Sequence, residues 1–241
     1  MSKNILGHIK NCKQTGRKLL AILLDPDKLT VQNLPLIIKK INSNTVDFIF
    51  VGGSNVDNGK TDTIVKGINK LTTIPIILFP GDFSQISNTA DALLFLSLIS
   101  GRNPEYLIGQ QVKSVNKLKE TSLEIIPTGY ILIDGGVKTS VQKVSNTTPI
   151  SQSNMEDITM TAMAGELMGK QLIYLEAGSG ATKAVSQEII KKVSENISIP
   201  LIVGGGIRSK KQLENAYQNG ADMIVIGTAF EKNNNILTSI L

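Results

Sequence analysis

KLLAILLD, residues 18–25, is apolar without a break from Leu19 to Leu24 and closes on a carboxylate, Asp25. A strand with one wet face alternates apolar and polar residues. An unbroken run is buried on both faces, as the strands of a parallel sheet are when helices cover it. Seven further stretches share this form: DFIFVGGS (47–54), PIILFPGD (75–82), ALLFLSLIS (92–100), EIIPTGYILID (124–134), LIYLEAG (172–178), PLIVGGGI (200–207) and MIVIGTAF (223–230). Helical patterns lie between them. Residues 29–41 put Leu34, Ile37, Ile38 and Ile41 on one face, and residues 60–71 do the same with Ile64, Val65, Ile68 and Leu71. Residues 104–118, opened by Pro104, turn Leu107, Ile108, Val112 and Val115 inward. Residues 155–168, 184–193, 210–218 and 234–241 supply the rest. A short amphipathic helix over residues 2–16, apolar at Ile5, Leu6 and Ile9 and stopped by Gly16, precedes the first strand. Eight strands alternating with helices over 241 residues predict a (β/α)8 or TIM barrel, a single domain over residues 1–241.

Two connections break the pattern. Between the third and fourth strands the chain from Phe83 to Asp91 is too short for a covering helix at 1.5 Å per residue. A shortened or altered third helix would open an apolar groove in the barrel wall, whereas one helical turn packed flush would not. Residues 135–152, GGVKTSVQKVSNTTPISQ, are long, polar and rich in Ser and Thr, hence a loop over the barrel mouth or a mobile one.

Composition narrows the function classes. Hydrophobic residues at 41% and charged residues at 19% describe a globular chain. There is no Trp and aromatics are few, so base stacking on nucleic acid has little material. The net charge of +5 suits an anionic partner, but the lysines are scattered, which argues against a nucleic-acid arm. One cysteine, Cys12, excludes an internal disulfide and reads as a packing residue. The one histidine, His8, sits on a surface helix without an orienting partner and reads as non-catalytic. No charged-then-apolar leader opens the chain and no apolar run reaches about 18 residues, so the expected location is the cytoplasm.

In such a barrel the chemistry collects at the C-terminal ends of the strands. In order those ends carry Asp25; Gly52, Gly53 and Ser54; Asp82; Asp134; Glu176; Gly204, Gly205 and Gly206; and Gly227 and Thr228. In YLEAGSG, residues 174–180, the acid can handle a proton and the bare turn lets N–H groups approach an anion. Alone, that stretch also fits a buried strand with an ordinary glycine turn. GGGIRS (204–209) and GTAF (227–230) fit a phosphate site, assisted by the N-terminus of the helix that follows Arg208 and Ser209. Tight strand-to-helix turns use glycine as well. Asp25, stiffened by Pro26, is placed to hold Mg²⁺, which takes one or two carboxylates plus phosphate oxygens. Asp27 reads equally as a helix cap, and Ser54 as either a hydroxyl ligand or a turn former.

Taken together and in this order, LDPDK, VGGSN, FPGD, SLISGRNPEYLIGQ, TGYILIDGG, YLEAGSG, VGGGIRS and GTAFE resemble the geranylgeranylglyceryl phosphate synthase family, in its second, partly bacterial group. VGGGI and IGTAF recur in many phosphate-binding barrels, whereas LDPDK with YLEAGSG and SLISGRNP is specific. The resemblance implies a prenyltransferase that joins sn-glycerol 1-phosphate to a prenyl diphosphate, geranylgeranyl diphosphate being expected, through an ether bond. Diphosphate leaves and Mg²⁺ is the cofactor; this is the first ether-bond step of archaeal-type phospholipid synthesis. It further implies that Asp25 and Ser54 hold the metal and that Glu176 is the catalytic base. Tyr174, Leu175, Glu176, Ala177, Gly178, Ser179, Gly180, Gly205, Gly206, Gly227 and Thr228 would bind glycerol 1-phosphate. An altered third helix beside a prenyl groove, a homo-oligomer (dimer or hexamer) and peripheral membrane contact complete the picture. Phe79, Phe83, Leu96, Leu98 and Tyr106 are the expected groove residues.

Two other readings share the phosphate loops. A phosphosugar isomerase or lyase barrel usually wants paired acids or a poised lysine; here only Lys28 and Lys138 lie near strand ends, both just beyond them. A non-catalytic barrel that binds a phosphorylated ligand needs neither Asp25 nor Glu176.

Overall fold

The computed structural model describes residues 4–240. Ser2 and Lys3 of the expected first helix, and Leu241 of the last, lie outside the described residues. Helix α1 (Ile5–Thr15) precedes strand β1 (Leu19–Leu24). The chain then runs through α2 (Leu34–Asn42), β2 (Phe48–Val51), α3 (Lys60–Asn69), β3 (Ile76–Leu78) and β4 (Ala92–Leu98). It continues through α4 (Gln110–Lys119), β5 (Glu124–Leu132), α5 (Ser140–Ser145), α6 (Met155–Leu167) and β6 (Leu172–Glu176). Last come α7 (Gln187–Asn196), β7 (Leu201–Gly204), α8 (Lys210–Gln218), β8 (Met223–Ile226), α9 (Thr228–Lys232) and α10 (Ile236–Ile240). The eight strands are parallel, pair in chain order, and close where Leu19 and Ile22 of β1 meet Met223 and Ile226 of β8. The predicted barrel is the observed one.

Strand residues alternate between two cores. Leu20, Ile22 and Leu24 of β1 pack outward against helices with Ile38, Ile64 and Val203. Leu19 and Ala21 point into the barrel with Phe48, Phe50, Leu94, Ile126, Tyr174 and Ile202. Ile5, Ile9 and Cys12 of α1 belong to this inner core, so α1 plugs the end of the barrel opposite the strands' C-termini. The Glu124 carboxylate accepts the Ile5 and Leu6 N–H groups at 2.6 and 2.9 Å, a charge placed at the positive end of that helix. Cys12 is thus a packing residue, and His8 lies exposed beside it, far from any strand end that carries chemistry.

No helix joins β3 to β4. Instead Gln85, buried in the connection, clasps the end of β2: its Oε1 accepts the Gly53 N–H at 3.2 Å and its Nε2 donates to the Gly53 carbonyl at 2.8 Å. Ser87 ties the same loop to Asp62 of α3 at 2.7 Å. The barrel wall is open there, and the helical region after β4 borders the gap. Its first turn, Glu105–Gly109, is wound as a π-helix, a form frequent beside functional sites.

Three expectations need correction. Ile108, Val112 and Val115 do not face inward; they are 61%, 66% and 41% exposed. The face of α4 that meets the barrel gap carries Gln110, Gln111 and Ser114, about 115° round the helix from that apolar stripe. Leu71 falls beyond the last turn of α3 and is 36% exposed. The polar stretch 135–152 also holds a helix that its composition hid. Thr139 caps α5 by accepting the Gln142 N–H at 3.2 Å, the T-x-x-Q spacing of a capping box.

Candidate active site

Strand register sets the geometry. Leu132 pairs with Glu176, and Glu176 pairs with Gly204, so the acid stands between the ends of β5 and β7. Its side chain points into the barrel mouth and is buried. Gly204 and Gly205 make the room. A Cβ at Gly204 would lie 2.4 Å from the Tyr174 hydroxyl and 2.8 Å from Glu176 Oε2. One at Gly205, where φ is +83°, would lie 2.6 Å from Glu176 Oε1 and 2.7 Å from the Gly178 nitrogen. The Gly178 N–H donates to Glu176 Oε1 at 2.7 Å and fixes the carboxylate. Burial pushes the Glu176 carboxyl up, and the Tyr174 hydroxyl and Gly178 N–H beside it pull it part of the way back. The Tyr174 hydroxyl, fully buried against that carboxylate, makes no hydrogen bond of good geometry.

The three glycine loops converge. Ser179 and Thr228 hydroxyls lie 2.7 Å apart and tie the loop after β6 to the start of α9 after β8. Gly178, Ser179, Gly180, Gly205, Gly206, Gly227 and Thr228 line one cavity, about 1110 Å³ with its open mouth, together with Tyr174 and Glu176. Helix α9 starts at Thr228 with no side chain capping it, whereas the start of α8 is capped by Ser209 through the Gln212 N–H at 3.3 Å. The short helix after the eighth strand therefore offers the open N–H groups, as barrel phosphate sites often do. Arg208 lines the same cavity and donates to the Gly180 carbonyl at 3.4 Å, buttressing the loop. Leu175 and Ala177 face the other way, into the core between strands and helices, and can contribute only backbone.

Asp25 lies across the mouth, lining the cavity with Gly53 and Ser54. Its Oδ1 accepts the Asp27 N–H at 3.1 Å, and Oδ2 stands 3.2 Å from the Lys28 ammonium. A Cβ on Gly53 would reach to 3.0 Å of Oδ1, so the bare glycine keeps the carboxylate accessible. Asp27 faces away, 3.5 Å from Lys60.

A second cavity, about 790 Å³ with its open mouth, occupies the gap left by the missing helix. It is lined by all five expected residues, Phe79, Phe83, Leu96, Leu98 and Tyr106. Gly53, Ser54, Phe79, Tyr130 and Val141 border both cavities. At that seam three aromatic rings meet: Phe79 lies 5.8 Å from Tyr130 and 5.3 Å from Tyr174, and the two tyrosines are 5.4 Å apart. Tyr130, Gln85 and Arg208 were not singled out from sequence. Tyr130 sits in the quoted TGYILID run, at an inward position of a strand end, which is the signal that could have found it.

Residues 13–241 match the model of the PcrB family. The chain belongs to that family. Geranylgeranylglyceryl phosphate synthase of Zunongwangia profunda is 52% identical over 227 residues, which cover 94% of this chain and 97% of the relative. The protein of the same name from Flavobacterium johnsoniae is 51% identical over 231 residues, covering 96% and 95%. Other PcrB relatives come from archaea, such as Thermococcus gammatolerans at 41% identity. The crystal structure of (S)-3-O-geranylgeranylglyceryl phosphate synthase from Thermoplasma acidophilum, in complex with its substrate sn-glycerol-1-phosphate, superimposes with a TM-score of 0.92. Its identity to this chain is 33%, covering 99% of this chain and 96% of that one. A tryptophan synthase α-subunit from Pyrococcus furiosus, at 11% identity and a TM-score of 0.60, shares the fold alone.

Proposed function

We propose that this PcrB-family protein is a geranylgeranylglyceryl phosphate synthase: it joins sn-glycerol 1-phosphate to a prenyl diphosphate, with geranylgeranyl diphosphate as the expected donor. The observation that carries this reading is the seam between a polar, glycine-walled cavity and an apolar groove. The phosphate of glycerol 1-phosphate fits the loops after β6, β7 and β8, and its terminal hydroxyl then reaches Glu176. The prenyl tail fits the groove, at up to about 0.8 kcal/mol per buried CH₂. Its allylic carbon falls at the seam, where the faces of Phe79, Tyr130 and Tyr174 favour the positive charge that develops as the diphosphate departs. The glycerol oxygen bonds to that carbon, the carbon–diphosphate bond breaks, and Glu176 takes the hydroxyl proton.

Mg²⁺ suits the donors near the departing diphosphate. Asp25 and Ser54 offer hard oxygens, and among the described residues no group of three His, Cys, Asp or Glu side chains is set to hold a metal. Few protein ligands plus phosphate oxygens is the pattern of Mg²⁺. When bound it would neutralise charge on the leaving group. Lys28 argues against lyase chemistry. Burial lowers its ammonium, but Glu231 and Asp25 outweigh that and raise it, so it is not the neutral amine a Schiff base needs.

The reading places the protein in the cytoplasm, where glycerol phosphate is dissolved, with peripheral membrane contact for its lipid product. The exposed stripe Ile108, Val112 and Val115 supports a homo-oligomer, since apolar side chains in such a row gain by meeting a second copy. The test is incubation with radiolabelled glycerol 1-phosphate, Mg²⁺ and prenyl diphosphates of several lengths, followed by solvent extraction. Extractable label is expected; none with any donor would end the reading.

A further inference from the structure

The Lys28 ammonium stands between two carboxylates from neighbouring strand ends. It is 3.2 Å from Asp25 Oδ2, after β1, and 2.9 Å from Glu231 Oε2, in α9 after β8. All three residues line the polar cavity. The two acids are not equivalent. Asp25 Oδ1 is engaged by the Asp27 N–H, so Oδ2 is the oxygen left for a cation, and the ammonium is on it. Asp25 stands beside the end of β2, where a Cβ on Gly53 would come within 3.0 Å of its Oδ1, whereas Glu231 belongs to the helix after β8. The Lys28 side chain is 51% exposed, so its flexible stem can turn without disturbing the core.

We propose that Lys28 is a charge-exchange residue of the diphosphate site. It neutralises Asp25 Oδ2 until a divalent ion arrives with diphosphate, then pivots on Glu231 and donates to the diphosphate oxygens. Glu231 is its positioning residue. An ammonium has three donors; the two carboxylates engage two of them, and leaving Asp25 frees one for the ligand. A diphosphate carries more negative charge than one divalent ion offsets, so the second cation is used. The same exchange explains why one lysine is shared by two acids: with Glu231 alone it would not screen Asp25, and with Asp25 alone it would be stranded once the ion took its place. This inference rests on the proposed assignment of Asp25 to the metal.

The experiment measures binding with Mn²⁺ as a spectroscopic stand-in for Mg²⁺, and with inorganic diphosphate and glycerol 1-phosphate as ligands. Wild type, Lys28→Met, Lys28→Arg and Glu231→Gln are compared by electron paramagnetic resonance and calorimetry, with no prenyl donor present. Lys28→Met should bind Mn²⁺ alone about threefold tighter, since a half-exposed ion pair competes only weakly. It should bind diphosphate with Mn²⁺ about tenfold more weakly, for the loss of one charge-assisted contact. Lys28→Arg should recover most of the diphosphate affinity, and Glu231→Gln should weaken Mn²⁺ binding by leaving the ammonium wholly on Asp25. Glycerol 1-phosphate affinity should stay within about twofold throughout, as no phosphate contact is changed. Lys28→Met that binds diphosphate as wild type does, binds Mn²⁺ more weakly, or loses glycerol 1-phosphate instead overturns the proposal. Because no prenyl donor is used, these arms can fail while labelled lipid still forms, and the extraction assay can fail while they succeed.

Discussion

Glu176 sits where its charged form is disfavoured, and the raised carboxyl that results has consequences for both activity and stability. As the proposed base it must be ionised to work, so the acid limb of kcat/KM should fall above the ordinary glutamate value of about 4.3. Replacing it, Glu176→Gln, should lower kcat by about 10²–10⁴-fold while leaving glycerol 1-phosphate binding measurable by calorimetry. The stability effect has the opposite sign to that of a salt-bridged acid. Below the unfolded-state value both states hold the proton and the group is neutral in effect. As pH rises, the unfolded chain ionises first, so wild type loses stability until the folded group ionises too. Glu176→Gln should therefore gain Tm over wild type at pH 8 and lose that gain at pH 4, as followed by thermal melts. Glu176, Asp25 and the glycine loops were legible because an apolar run that breaks on an acid or on glycines marks a strand end. Lys28, Gln85 and Arg208 were not. Their roles lie in bonds to residues 203, 32 and 28 positions away, and no local pattern encodes such partners.

Among the elements, chain length showed that no long helix could follow β3, because about ten residues cannot cover a strand, but it left a single flush helical turn open against an open gap. The orientation of α4 was not. Its apolar stripe and its barrel-facing row both have helical spacing, and period cannot say which row turns inward. What decides is the gap: α4 borders a groove, so its inner row need not be apolar, and Gln111 even uses its amide to hold the Leu96 carbonyl. Two measurements follow. Leu96→Trp should fill the groove, cutting kcat/KM for a twenty-carbon donor by about tenfold or more as several CH₂ groups lose their burial, and doing less to a five-carbon donor. Product analysis over a donor series would show it. Val112→Glu should shift sedimentation toward a smaller species with an unchanged far-UV spectrum, since a charge in an apolar contact must be desolvated. An unchanged sedimentation profile would remove this face from the proposed interface.

Over the whole molecule, the division of labour follows from the barrel itself. One end is closed by α1, whose Ile5, Ile9 and Cys12 complete the inner core, and the other carries all the polar strand ends. Stability and chemistry are thereby kept at opposite poles. Changes to the α1 plug should act on folding, and changes to the loops on turnover. Eight buried runs announced the closed sheet because both faces of every strand had to be apolar. The helix over the mouth, α5, escaped notice because its residues cover a cavity instead of a core.

The seam bordered by Phe79, Tyr130 and Val141 has one more consequence, for what happens after the bond is made. On the proposed function the prenyl tail would take the groove, while its diphosphate and glycerol 1-phosphate would share the polar cavity. The ether-linked product would then be a single molecule threaded through the waist, with its phosphate in the polar cavity and its tail in the groove. In that pose it would leave by either opening only by drawing the wrong end through. Departure therefore waits on the segment that roofs both chambers, α5 with Val141, and should be slower than bond formation. Rapid-quench kinetics should then record a burst of about one product per site ahead of the steady rate; a linear trace from the first milliseconds would place the slow step in the chemistry instead.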